Sequence, residues 1–226
     1  MVGLTVALIV GIGLPLGAFI YAVIKKRALP FLLGVLAFVI SQMALRLPLL
    51  KFLTKQSTSF NMLSMTQPIV YFLIIGFSAG IFEEVARYIG IRFFMRQRDF
   101  QAGALFGAGH GGVEVIILFG INVVIMLTSS MALVQVDTLL IGSVERVFAM
   151  LLHIGLSIIV LYGVVTKKIR YLIMAIILHG VIDSLIGLVP MFVRSEWTIF
   201  VIEGALIIMS VSVIIFSIRL NRKGAI

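Results

Sequence analysis

The chain has 226 residues, of which 62% are hydrophobic and 12% are charged, and its mean hydropathy is +1.23. Soluble domains are roughly half apolar and about a quarter charged, so this composition excludes a water-soluble globule and indicates an integral membrane protein. Cysteine is absent, which excludes disulfides, thiolate metal sites and cysteine catalysis. The net charge of +9 comes from short basic clusters between apolar runs. The predicted partner is therefore the lipid bilayer and not nucleic acid.

Seven apolar segments are long enough to cross a bilayer, which takes about 20 helical residues. Their continuous apolar character, and the need to satisfy every backbone group in lipid, argue against strands. We therefore predict an all-α, polytopic membrane protein with a single transmembrane domain over residues 1–226 and no internal repeat. The predicted spans are about 2–24, 29–50, 68–94, 100–128, 140–165, 170–190 and 198–219.

Four basic clusters follow the first, third, fifth and seventh spans and so fall on one side of the membrane. The positive-inside rule makes that side cytoplasmic, which predicts an outside N-terminus and a cytoplasmic C-terminus in a bacterial plasma membrane. The patch Arg46, Lys51 and Lys55 is discordant, because this topology places it near the outer side, beside a long polar loop predicted over 51–67. The four clusters are Lys25, Lys26 and Arg27; Arg92, Arg96 and Arg98; Lys167, Lys168 and Arg170; and Arg219, Arg222 and Lys223.

Most of the acidic residues lie where a charge is costly. A charged side chain at the bilayer centre costs about 2.5–3.5 kcal/mol on insertion scales, so such residues usually face a cavity or a functional site. Three of the nine acidic residues lie in loops or at helix ends, and the other six fall inside predicted spans together with all three histidines. These nine residues are Glu83, Glu84, Glu114, Glu145, Asp183, Glu203, His110, His153 and His179.

Four spans bring an ionisable group to nearly the same depth. At about 1.5 Å per residue, Glu83, His110, His153 and His179 each lie roughly nine to twelve residues from the cytoplasmic end of their spans. Glu114 follows His110, and Asp183 follows His179, at a spacing of four residues, so each pair shares a helix face. The same spacing predicts an ion pair between Glu83 and Arg87. The set indicates a polar cavity inside the membrane.

The fourth span begins "GALFGAGHGGVE", with glycines at 103, 107, 109, 111 and 112. Small residues let helices approach closely in membranes, and they would also leave room beside His110 for a substrate or a water. A carboxylate beside two imidazoles can bind Zn²⁺ or can activate water directly. It can also relay protons in a transporter. HExxH, G-x-S-x-G and P-loop motifs are absent, and the residues alone leave these classes open.

The motifs resemble the CAAX protease and bacteriocin-processing superfamily of intramembrane proteases. That superfamily carries EExxxR, FxxxH and HxxxN or HxxxD-like motifs on separate helices, and this chain has "EEVAR", "FGAGH" and "HGVID" in the same order. The arginine stands one position earlier than in the superfamily pattern. The combination "FEEVARYIG", "GAGHGGVE", "ERVFAMLLH" and "LHGVID" is more closely similar to the YhfC family of bacterial membrane peptidases, from the third to the sixth span.

The resemblance implies roles for these residues. Glu83 would be the general base on water, and His110 and His179 would hold that water or stabilise the oxyanion. Asp183 would orient His179. Supporting roles fall to Glu84, Arg87, Glu114, His153 and Glu145. A metal-free mechanism without a cofactor is the expectation. A metal-dependent variant would bind Zn²⁺ through Glu83, His110 and His179.

The function expected from the resemblance is that of a glutamate-type intramembrane endopeptidase acting on a membrane-associated peptide or protein. The main alternative is a non-catalytic scaffold with the same fold. The resemblance supports this alternative too, because it reaches the seven-span scaffold subunit of the gamma-secretase complex. A proton- or ion-coupled transporter is the third alternative.

Overall fold

A computed structural model describes residues 2–128 and 136–226. Within these ranges the chain is almost entirely helical and contains no β-strand. Seven helices in this described part have the length and apolar composition to cross a membrane, which confirms the predicted fold class. Numbered in chain order, the helices are α1 Val2–Ile24, α2 Ala28–Gln56, α3 Thr58–Thr66, α4 Pro68–Phe94, α5 Phe100–Thr128, α6 Val136–Val165, α7 Arg170–Phe192 and α8 Ser195–Asn221.

The polar segment after the second span is helical. The predicted loop over 51–67 is therefore wrong, because α2 continues to Gln56 and α3 follows after one extended residue. Lys51, Thr54 and Lys55 share one helix face, and Phe52 and Leu53 lie off that face, so the segment is amphipathic rather than irregular. The break falls at Ser57, whose hydroxyl accepts a hydrogen bond from the Phe60 N–H at 3.2 Å and so begins α3.

The basic loops meet at one end of the bundle, here called the basic end (residues 25–27, 95–99, 166–169 and 222–226). Arg27 Nη1 donates to both carboxylate oxygens of Asp99 at 2.5 and 2.7 Å, which ties the first of these loops to the second. Asp99 also accepts from the Ala102 N–H at 3.0 Å and begins α5. Partial burial opposes ionisation of Asp99, but these hydrogen bonds and the Arg27 charge hold the pKa of Asp99 below its usual value.

Helix α5 lies at the centre of the bundle, packed between α2 and α6. Helix α4 packs mainly on α7, and α6 also packs on α8. The glycines of α5 make its approaches to α2 and α6 possible. A Cβ on Gly107 would lie 2.4 Å from Ile154 Cα of α6, and a Cβ on Gly109 would lie 2.0 Å from the Phe31 carbonyl oxygen of α2. These glycines therefore serve close helix packing, which places His110 among the neighbouring helices.

Candidate functional site

The nine predicted site residues form one connected cluster where four helices meet. The imidazole centroids of His110 and His153 are 4.9 Å apart, and those of His153 and His179 are 5.2 Å apart. The side chains closest to these rings are almost entirely buried. Helix α4 supplies Glu83, Glu84 and Arg87; α5 supplies His110 and Glu114; α6 supplies Glu145 and His153; and α7 supplies His179 and Asp183.

Glu83 lies at the centre of this cluster, with a different environment at each carboxylate oxygen. Its Oε2 is 2.8 Å from His110 Nε2 and 3.6 Å from His179 Nε2. Its Oε1 accepts a hydrogen bond from the side-chain amide of Gln42 on α2. His110 Nδ1 is buried and has no hydrogen-bond partner within the described part of the chain. Glu83 is thus positioned from three helices at once.

Glu84, and not Glu83, is the partner of Arg87. Arg87 Nη1 donates to both Glu84 oxygens at 2.5 and 2.7 Å, with both side chains fully buried. The predicted Glu83–Arg87 pair is therefore wrong. The physical reason is that donors from α2 and α5 already engage the oxygens of Glu83. Arg87 lies on the side of α4 that faces α6, where its Nη2 is 3.0 Å from His153 Nδ1.

Glu84 makes a shorter contact with His179 than Asp183 does. His179 Nδ1 donates to Glu84 Oε1 at 2.7 Å, while Asp183 Oδ2 is 3.6 Å from the other ring nitrogen, Nε2. Asp183 does contact His179 at the predicted spacing of four residues, but on the opposite edge of the ring from Glu84, so its orienting role stays a prediction. Nε2 is equidistant from Glu83 and Asp183, at 3.6 Å from each, and a water lying to one side could contact Nε2 and either carboxylate.

The supporting residues continue the network away from Arg87. A guanidinium only donates, so His153 Nδ1 accepts from Arg87 and the ring proton sits on Nε2. That nitrogen lies 2.6 Å from Glu114 Oε2. Glu114 is also 3.5 Å from Arg146, which forms an ion pair with Glu145. This branch places every predicted supporting residue in contact with another charged group.

Two functional candidates, Gln42 and Arg46, were missing from the predicted site. Both lie in a π-helical stretch of α2, Val39–Arg46, a wider turn that is common at functional sites. Arg46 Nη1 donates to Gln42 Oε1 at 3.0 Å, so it orients the amide that holds Glu83. The sequence signal was a lone glutamine in an apolar run and a basic residue that disagreed with the topology.

Two cavities meet at this cluster. The larger has a volume of about 670 Å³ and mostly apolar walls, with Glu83, Asp183 and Arg46 among the residues that line it. The smaller, of about 100 Å³, is lined by Glu83, His179 and Asp183 together with His153 and Glu114. Apolar residues such as Leu152 and Ile182 complete its wall. Its size and these ionisable side chains suit several water molecules. Both cavities are lined by Glu83, Glu114, Arg146, Asp183 and Ile186, so these residues lie where water and a larger apolar molecule would meet. Of the three carboxylates, Glu83 is the one that contacts both His110 and His179.

The donor set also fits a metal ion. The ligand atoms of Glu83, His153 and His179 lie within 4.8 Å of one another, and carboxylate and imidazole are ligands that Zn²⁺ prefers. His179 has the arrangement of a metal-binding histidine, because its Nδ1–H donates to Glu84 and leaves Nε2 free. His153 would first have to lose the ring proton that faces Glu114. His110, the predicted third ligand, is outside this group, and its Nε2 likewise directs its proton at Glu83. A metal would therefore be held by Glu83, His153 and His179.

The similarity to known proteins covers much more of the chain than the short motifs. The family model described as YhfC intramembrane metalloprotease matches residues 7–137 and 122–207. The uncharacterized membrane protein YhfC of Bacillus subtilis (strain 168) is 31% identical over 148 residues, which cover 53% of this chain and 57% of that protein. The match to this curated relative thus spans little more than half of its length. No solved structure matches the chain. The predicted resemblance to YhfC is confirmed, and the chain belongs to the YhfC family of intramembrane metalloproteases.

Proposed function

We propose that this protein is an intramembrane endopeptidase in which Glu83 activates a water molecule against a peptide bond of a membrane-associated substrate. The observation that carries this proposal is the junction of the two cavities. Glu83 lines both the small cavity, whose ionisable side chains suit water, and the large apolar cavity, which suits a peptide segment, and it contacts His110 and His179. The family description supports the same reaction class.

In the proposed reaction, water lies beside Glu83 Oε2 and His179 Nε2, which are 3.6 Å apart, and contacts both. Glu83 takes one proton as the water oxygen bonds to the carbonyl carbon, a step that general bases accelerate by about 10²–10⁴-fold. Protonated His179 donates from Nε2 to the oxygen that becomes negative, and Glu84 on Nδ1 supports the imidazolium. Glu83 then returns the proton to the amide nitrogen as the carbon–nitrogen bond breaks.

A zinc-dependent form of this reaction is the second candidate, and the family description and the Glu–His–His donor set favour it. Bound Zn²⁺ would supply a Lewis acid and an acidified water. In that form Glu83, His153 and His179, whose ligand atoms lie within 4.8 Å of one another, would act as ligands, and Glu84 would hold His179 in its ligating tautomer. Asp183, beside His179 Nε2, would take the proton from water.

We also propose the cellular setting. The basic end faces the cytoplasm of a bacterial plasma membrane, because four basic loops lie there. This orientation leaves the N-terminus outside and the C-terminus inside, with residues 1–226 forming one transmembrane domain.

The test is cleavage of a membrane-peptide library by purified protein in liposomes, read by mass spectrometry. We expect Glu83→Gln and His110→Ala to abolish cleavage and Glu196→Gln, an exposed carboxylate near the start of α8, to retain it. Cleavage that survives a chelator supports direct activation by Glu83, whereas loss that Zn²⁺ restores supports the metal-dependent form. If the wild-type protein is folded and cuts no peptide, a scaffold becomes the better account. Proton-coupled uptake into the liposomes would instead favour a transporter.

A further inference from the structure

Arg46 orients Gln42, but its positive charge has no role in the proposed reaction. It lies in the larger cavity and is only partly buried. Its Nε donates to Ser78 Oγ at 2.9 Å, Nη1 to Gln42 at 3.0 Å and Nη2 to the Ile75 carbonyl at 2.8 Å. All three partners are neutral. Among the side chains that the structure describes, no carboxylate lies within 4 Å of the Arg46 guanidinium, the limit for an ion pair. The other arginine of this cavity, Arg146, has two acidic partners, Glu114 and Glu145.

The surrounding sequence strengthens this observation. Residues 28–67 contain the basic residues Arg46, Lys51 and Lys55 and no acidic residue. This basic stretch lies toward the end of the bundle opposite the basic end, where positive charge does not serve orientation. Asp183 and Glu83 in the same cavity attract the Arg46 guanidinium only at longer range. A partly buried guanidinium without a carboxylate in direct contact is costly in a membrane unless an anion occupies its site.

The fixed guanidinium has a free edge. Since each of its nitrogens donates one bond to the protein, one N–H remains on each of Nη1 and Nη2, enough for the two oxygens of one carboxylate. Glu83, Glu114 and Asp183 also line this cavity, so a monoanion is better tolerated there than a phosphate with nearly two charges. The remaining walls are largely apolar.

The cavity lies in one half of the bundle. Its lining runs on α4 from Phe72 to Glu83 and on α7 from Asp183 to Met191, in both cases away from the basic end. A molecule in this cavity would therefore reach Glu83 from the end that holds α3. With the orientation proposed above, that is the extracytoplasmic half of the membrane.

We propose that Arg46 is a substrate-binding residue that holds the carboxylate of an otherwise apolar peptide, which enters the cavity from the extracytoplasmic half. The proposal rests on the proposed peptidase function, for which it names the substrate class. The carboxylate would come from an acidic side chain of the peptide or from a chain terminus. Phe72, Ile75 and Ile186 would contact the apolar part of the peptide.

The absence of cysteine allows a test that needs no cleavage. Met43 lines the same cavity, is 44% exposed and lies three residues before Arg46. We would measure modification of Met43→Cys, in intact right-side-out membranes, by membrane-impermeant methanethiosulfonates bearing a sulfonate or a trimethylammonium group. After correction for their rates with a free thiol, the anionic reagent should react about tenfold faster, as expected for one unit charge nearby in a partly hydrated cavity.

Variants of Arg46 decide the origin of this preference. Arg46→Gln should abolish it, Arg46→Lys should retain it, and Lys55→Gln, which changes an exposed charge, should leave it unchanged. A preference that persists in Arg46→Gln would overturn the proposal. So would a thiol that reacts equally with both reagents or with neither.

The bound group is identified by protection of the same thiol. Ac-Leu-Leu-Asp-Leu-NH₂ should slow modification several-fold, whereas the matched Asn peptide should not. Equal protection by both peptides would overturn the carboxylate assignment. Stronger protection by dodecyl phosphate would assign the site to a lipid headgroup and overturn the peptide assignment. Because none of these readouts requires hydrolysis, a catalytically inert protein could still pass them, and the two proposals fail separately.

Discussion

Two arginine–carboxylate pairs in this protein have the same bond lengths and different surroundings. Arg87–Glu84 and Arg27–Asp99 each join one guanidinium nitrogen to two carboxylate oxygens at 2.5 and 2.7 Å. The first pair is fully buried, whereas the side chains of the second are 25% and 46% exposed. Removing one partner of a buried pair leaves an uncompensated charge and costs about 3–5 kcal/mol. Exposed pairs contribute roughly 0–1 kcal/mol.

We therefore predict that Arg87→Met lowers the free energy of unfolding by about 3–5 kcal/mol, while Arg27→Met lowers it by no more than about 1 kcal/mol. The assay is reversible unfolding by sodium dodecyl sulfate in mixed micelles, followed by circular dichroism. Adding Glu84→Gln to Arg87→Met should recover most of the loss, because the unpaired charge is then gone. Equal losses in the two single variants would refute the assignment of Arg87 as the counterion of a buried carboxylate.

Three further predictions concern the site and the basic end. Gln42→Leu should lower kcat roughly 10- to 100-fold with little change in KM, since it removes one hydrogen bond to the Glu83 carboxylate; an equal loss through KM alone would contradict this. Glu84→Gln should cost about 10–100-fold in kcat, because His179 loses its carboxylate partner, and activity within twofold of wild type would count against that role. The lowered pKa of Asp99 stabilises the folded state at pH values above the unfolded pKa of about 4. This stabilisation is lost as the pH falls through the folded pKa. The free energy of unfolding, measured from pH 6 to 3, should therefore depend less on pH in Asp99→Asn than in the wild type.

The transmembrane architecture was predictable because it depends on local composition. An apolar run of about 20 residues specifies a span whatever its neighbours are, and the predicted spans differ from the observed helices mainly at their ends. The error after residue 50 has the same origin. Polar residues there lie on one face of an amphipathic helix, and composition alone could not separate that helix from a loop.

The sequence also predicted that the site residues lie at one depth, since depth along a helix follows from the rise per residue. It did not predict which side chains pair within the site. Whether Arg87 meets Glu83 or Glu84 depends on the rotation of α4 against α6 and α7, which spacing along one helix does not define. Gln42 contacts Glu83 from a π-helical stretch of α2, Val39–Arg46, in which the helical register is shifted. No residue type is diagnostic of a π-helical turn, so the sequence did not predict it.

The most direct test of the central claim is the single-turnover rate of one cleaved membrane peptide with wild-type protein and with Glu83→Gln in liposomes. Unfolding in sodium dodecyl sulfate would establish that both proteins are folded. The account predicts a fall of at least about 10²-fold, because the variant retains the side-chain size of Glu83 and loses its ability to take a proton from water. A rate within threefold of wild type would contradict the assignment of Glu83 as the group that activates water.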